Sequence, residues 1–133
     1  MSINDEKTYD SFPLRTFLDF TVEEEKKGIA IALLNIDVRH LNPNGVIHGG
    51  VLFTLVDTAM GKATMSVLRQ GQICASIEVS IRYLRSVTEG QLEVRASVLK
   101  AGQKVVHLES IIQKKGEEGP VAIAHGSFIV INT

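Results

Sequence analysis

The chain has 133 residues, of which 44% are hydrophobic, and a formal net charge of −1. That length points to a single domain over 1–133 with apolar material for a real core, and the three prolines and scattered glycines do not suggest disorder. There is no basic excess to argue for nucleic acid, and no run approaches the ~20 apolar residues of a membrane span.

Residues 1–13 read as a polar, acidic lead-in with room for one short helical turn, and not as a signal peptide. Phe17 to Glu25 and Ile29 to Val38 are expected as two strands around the Lys26-Lys27-Gly28 turn. His40 to Ile47 is expected as a loop. Gly50 to Leu68 carries the only long helical pattern, with Leu52, Leu55, Val56, Ala59, Ala63 and Val67 on one apolar face and Gln70-Gly71-Gln72 as the stop. Four strands follow: Ile73 to Val87, Gln91 to Lys100, Lys104 to Lys114 and Val121 to Ile131. In the first of these, Ile77, Val79, Ile81 and Tyr83 alternate against Ser76, Glu78, Ser80 and Arg82, and Gly126 in the last is a candidate bulge. One helix cannot cover both faces of six strands. The expected class is therefore α+β, an antiparallel meander wrapped on one buried helix, its other face solvated or used for association.

The stretch from Asn42 to Asp57, NPNGVIHGGVLFTLVD, carries the chemistry. The first N–H groups of a helix lack partners inside it and lie at the positive end of its dipole. Glycine lets another group come close, so His48-Gly49-Gly50 makes a possible binding point for a carbonyl or an anion. From the dipeptide alone, a plain glycine turn into a helix is the simpler reading. Asp57 lies two turns further in, on a small face with Gly50, Phe53, Thr54, Gly61 and Thr64, opposite the apolar one. It is thus expected to point away from the helix's own sheet, towards a close contact. A carboxylate there suits a general base or a nucleophile, while an exposed Asp paired with Lys62 is an equal alternative.

Taken together, Asn42, His48-Gly49-Gly50 six residues later and Asp57 nine residues after the histidine resemble the signature of hotdog-fold acyl-CoA thioesterases. The nearest branch is the phenylacetate-pathway (PaaI-like) one of the 4-hydroxybenzoyl-CoA thioesterase superfamily. Strand-strand-helix-four strands is also the hotdog order, and Ala75-Ser-Ile-Glu-Val-Ser-Ile-Arg-Tyr-Leu-Arg85 is similar to the family's third strand. The resemblance implies hydrolysis of an acyl- or aryl-coenzyme A thioester. It makes Asp57 the nucleophile or the base that activates water, and the Gly49 N–H the donor that polarises the carbonyl. It gives Asn42 a part in holding that carbonyl, His48 in helping the thiolate leave, and Ser76 in positioning water. It implies a site at a homodimer interface, with dimers pairing into a homotetramer.

A thioester has an electrophilic carbonyl and a good leaving group, so one carboxylate and one oxyanion donor can suffice. No G-x-S-x-G elbow is present, and no cofactor is expected. Coenzyme A phosphates call for cations, for which Arg82 and Arg85 are the candidates, with Lys62 and Lys100 weaker. Gly50 and Phe53 complete the expected substrate contacts. His40, His107 and His125 read as structural, with no zinc spacing, and Cys74 as a small hydrophobe, since a lone cysteine forms no internal disulfide. A cytoplasmic setting fits. A hydratase or dehydratase acting on acyl thioesters and a non-catalytic acyl-CoA-binding protein are the competing readings.

Overall fold

A computed structural model describes residues 11–133; most of the expected polar lead-in lies outside them. The first expected strand starts too early. Pro13–Leu18 is a short helix, α1, with its proline at the first turn, where the missing N–H costs nothing. The chain leaves α1 through Asp19 in the left-handed region and enters β1, Phe20–Lys26. The hairpin to β2, Ile29–Asn35, turns on Gly28, whose φ of +85° glycine adopts without strain.

The helix α2 runs from Gly49 to Met65. Leu52, Leu55, Val56, Ala59 and Ala63 are all buried, as the helical spacing predicts, and Val67 packs half-buried against them. Full burial of a side chain such as Leu55 contributes about 1.5–3 kcal/mol. The Ser66 hydroxyl closes the helix by donating to Ala63 O at 2.6 Å and accepting the Gly28 N–H at 2.8 Å. That ties the β1–β2 turn to the C-terminal end of α2.

The remaining strands are β3 (Gln72–Tyr83), β4 (Gln91–Ala101), β5 (Val105–Lys114) and β6 (Pro120–Asn132). All pairings are antiparallel, in the order β1-β2-β4-β5-β6-β3. A simple meander is therefore corrected in one place. β3 does not lie beside β4; it crosses to the far side, pairs with β6 and, among the described residues, leaves its other edge without a strand. The sheet wraps α2 in the hotdog arrangement of an α+β fold. No helix among the described residues is long and apolar enough to cross a membrane.

β3 also departs from strict alternation. Ser76 pairs with Phe128 but Glu78 pairs with Ser127, so Ile77 is an extra residue, a β-bulge. The bulge turns Ser76 to the helix side, in line with Val79, Ile81 and Tyr83, while Glu78, Ser80 and Arg82 stay on the outer face. Gly126 is in register with Val79 and Leu108 and is not a bulge. It is glycine because a Cβ there would lie 2.6 Å from Met60 Sδ.

Candidate active site

The loop into α2 is fixed from several sides. Asn42 N donates to Val46 O, Ile47 N to Val87 O and His48 N to His40 O. His40 is fully buried. Its Nδ1 accepts the Asp37 N–H at 2.9 Å and its Nε2 meets Leu18 O at 2.7 Å, so it is a structural staple between α1 and this loop. The Asn42 side-chain oxygen accepts from Asn44 N and Val46 N, which leaves its amide nitrogen as the part able to serve a ligand.

His48 caps α2. Its Nδ1 accepts the Gly50 N–H at 2.8 Å, so the neutral ring carries its proton on Nε2. This corrects Gly50 as a substrate contact: its N–H is taken by His48, and a Cβ there would press on the imidazole at 3.0 Å. The Gly49 N–H has no hydrogen-bond partner among the described residues. Gly49 lines a cavity of about 370 Å³ with Asn42, Leu52, Tyr83 and Arg85. Tyr83, which the sequence offers only as core or acyl-pocket lining, lines this cavity. Its hydroxyl donates to Gly49 O at 3.0 Å, and its ring would sit 3.1–3.3 Å from any Cβ on Gly49. The sequence signal for it was its position on the inward side of β3, seven residues beyond Ser76.

Asp57 does not turn away from its own sheet. It is half-buried at the seam between α2 and the edge strand β3, beside Ser76. Burial pushes its carboxyl above the ordinary value of 3.8, and the Ser76 hydroxyl partly offsets this by hydrogen bonding to the charged form. Asp57 Oδ1 is buried and has no hydrogen-bond partner among the described residues. Further along the same seam, Cys74 Sγ lies 3.9 Å from Gly61 O. Phe53 is exposed on the Asp57 face.

The two candidate cations separate. Arg85 lines the Gly49 cavity, ion-paired to Glu117 at 2.7 Å and donating to Gly119 O at 3.2 Å. Arg82 pairs in register with Ile123 and faces outward, so the fold does not bring it to the cavity. His107 and His125 also lie on the outer face. Within one chain, then, Gly49, Asn42, Tyr83 and Arg85 form one group, and Asp57 with Ser76 forms another.

A sequence model of the thioesterase superfamily matches residues 44–120, most of the stretch from the Asn42 loop to β6. A protein of Archaeoglobus fulgidus described as a candidate esterase is 32% identical over 126 residues, covering 93% of this chain and 79% of its own length. One from Halobacterium salinarum, described in the same way, is 33% identical, covering 91% and 86%. Among solved structures, the PaaI protein of the Escherichia coli phenylacetic acid degradation operon superposes with a TM-score of 0.86 at 25% identity, covering 97% of this chain and 91% of that one. A thioesterase of Haemophilus influenzae gives 0.87 at 21% identity, covering 99% and 92%, a likeness of fold. With a hotdog sheet around its helix and an unpaired N–H at the glycine mouth of that helix, the chain belongs to the thioesterase superfamily and is a hydrolase.

Proposed function

We propose that the protein hydrolyses the thioester of an acyl- or aryl-coenzyme A at a site completed by a second copy of the chain. The observation that carries this is the separation of its two reactive groups. Gly49 and Asp57 are eight residues apart on one helix, roughly 12 Å along its axis. The Gly49 N–H points outward from the helix start, so a carbonyl bound there lies further off still. A donor about 2.9 Å from the oxygen, a C=O bond of about 1.2 Å and an attacking atom about 3–3.5 Å from the carbon span at most ~8 Å. One chain's Asp57 cannot reach a carbonyl held by its own Gly49.

The edge of β3 supplies the remedy. With Ile77 bulged out, antiparallel pairing of two β3 strands about a two-fold axis at Ser80 sets Tyr83 of one copy opposite Ser76 of the other. Asp57 lies beside Ser76, and Gly49 lies under Tyr83. The pairing therefore brings the glycine mouth of one helix towards the carboxylate of the other. The homodimer is the catalytic unit. The outer sheet face, with Leu33, Leu99, Ile111 and Ile129 exposed, is where two dimers meet in a homotetramer.

In this site the Gly49 N–H takes the developing oxyanion, helped by the Asn42 amide nitrogen. Asp57 acts in one of two ways. It attacks the carbonyl carbon itself, expelling the thiolate and leaving an acyl-aspartate that water then opens. Otherwise it takes a proton from water as that water attacks, with Ser76 positioning it. In either route the C–S bond breaks and the sulfur leaves as a thiolate, which the His48 Nε2–H at the mouth stabilises by hydrogen bonding; its proton comes from solvent or, in the second route, from the Asp57 carboxyl that took one from water. Arg85 receives the coenzyme A phosphates. No metal or redox cofactor is needed for these steps, and the reading carries the cytoplasmic setting expected from the sequence.

The test is an assay of free thiol against a panel of acyl- and aroyl-coenzyme A thioesters, with Asp57→Asn alongside. Turnover of part of the panel and a loss of ~10²–10⁴ in the variant support the reading. A wild type inert on the whole panel, or a variant of equal activity, overturns it. An intact mass taken early in turnover then separates the routes: an acyl adduct on Asp57 forms only if the carboxylate itself attacks.

A further inference from the structure

One peptide unit in the site is held at both ends. The carbonyl of the Gly49–Gly50 peptide accepts the Tyr83 hydroxyl at 3.0 Å. Its N–H, on Gly50, donates to His48 Nδ1 at 2.8 Å. Hydrogen bonding to an amide oxygen polarises the N–H of the same unit, so the two bonds strengthen one another. The Tyr83 ring also rests against Gly49 so closely that any side chain there would meet it. Such a contact is more than a wall of a cavity, because a wall does not require hydrogen bonds to a single peptide from two directions.

We propose that Tyr83 is a positioning residue. Its hydroxyl locks the Gly49–Gly50 peptide, which holds His48 in its Nε2–H tautomer and keeps the neighbouring Gly49 N–H aimed into the cavity. The catalytic part of this inference rests on the thioesterase reading; the structural part does not. Burial raises the Tyr83 phenol above its ordinary value, which keeps it a donor at neutral pH. Tyr83→Phe removes the hydroxyl, retains the ring and changes no residue of the hydrophobic core, so the fold is expected to survive.

The experiment uses the full chain with ¹⁵N-labelled histidine, its His48 ring signals assigned by loss in His48→Gln. Spectra are taken without substrate at about pH 8. The wild type is expected to show one acceptor-type nitrogen, Nδ1, and one protonated nitrogen, Nε2. In Tyr83→Phe both signals move towards averaged values as the tautomers interconvert. On the best thioester of the panel kcat falls roughly 3- to 10-fold, the loss of one neutral hydrogen bond, with KM within about twofold. His48 signals identical in the two proteins overturn the proposal. So does a rise in KM with kcat unchanged, which would make Tyr83 a substrate contact only. Because the spectra need no turnover, an inactive wild type defeats the functional reading and still leaves the Tyr83 link to be read.

Discussion

Asp57→Asn is expected to make the protein more stable while it removes activity. The carboxylate is half-buried, with Oδ1 lacking a partner, and burial raises its pKa above 3.8. Asparagine keeps the unpaired atom but not the charge, and half-burying the ionised carboxylate costs about 1 kcal/mol more than a neutral amide in the same place, once solvent around the exposed half screens it. In a domain of this size that is a rise in melting temperature of about 4 °C in the neutral variant. The pH dependence fixes the cause. As pH rises above 3.8, the unfolded chain releases the Asp57 proton while the folded chain still holds it. The folded state then binds more protons, so wild-type stability falls with rising pH until the folded carboxyl has also ionised. Asparagine does not titrate. Thermal melts of both proteins between about pH 4 and pH 8 should show a gap that opens as pH rises and then levels. A gap independent of pH, or a variant less stable than the wild type at neutral pH, refutes the buried-carboxylate reasoning.

Ser76→Ala removes the hydrogen bond that lowers the Asp57 pKa, so the acid limb of kcat/KM should move to higher pH; a limb that stays or moves down contradicts the pairing. Arg85→Ala should raise KM for coenzyme A thioesters by about tenfold, the scale of one charge-assisted contact, and leave thioesters of a phosphate-free thiol unaffected. Arg82→Ala, on the outer face, should change neither, and steady-state kinetics on the two thiol series decides it.

The helix was legible because its apolar residues recur at one period and its glycines stand at one end. The strands were legible as segments, but not in their pairing. Nothing in Ile73–Tyr83 announces that β3 crosses to β6, since an alternating strand suits either neighbour. The bulge at Ile77 was invisible for a related reason: alternation assumes no extra residue, and one extra residue moved Ser76 to the helix side. Phe17 reads as a strand residue by composition, yet Pro13 opens a helix that includes it. The resemblance already makes the Gly49 N–H the donor, but it also puts Gly50 among the substrate contacts; that His48 takes the Gly50 N–H for itself is seen only in the folded loop. The placement of Asp57 away from its sheet failed because helix spacing orders residues around an axis without saying where a sheet ends.

The shared site is tested most directly by mixing two dead chains. Asp57→Asn keeps the glycine mouth, and Gly49→Val, whose side chain would meet Tyr83, keeps the carboxylate. Each variant alone should be inactive and retain a cooperative melt. Co-expressed in equal amounts, half the dimers are mixed, and each mixed dimer has one intact site of two, so about a quarter of wild-type activity should return. A mixture as inactive as its parts would contradict a site built from two copies.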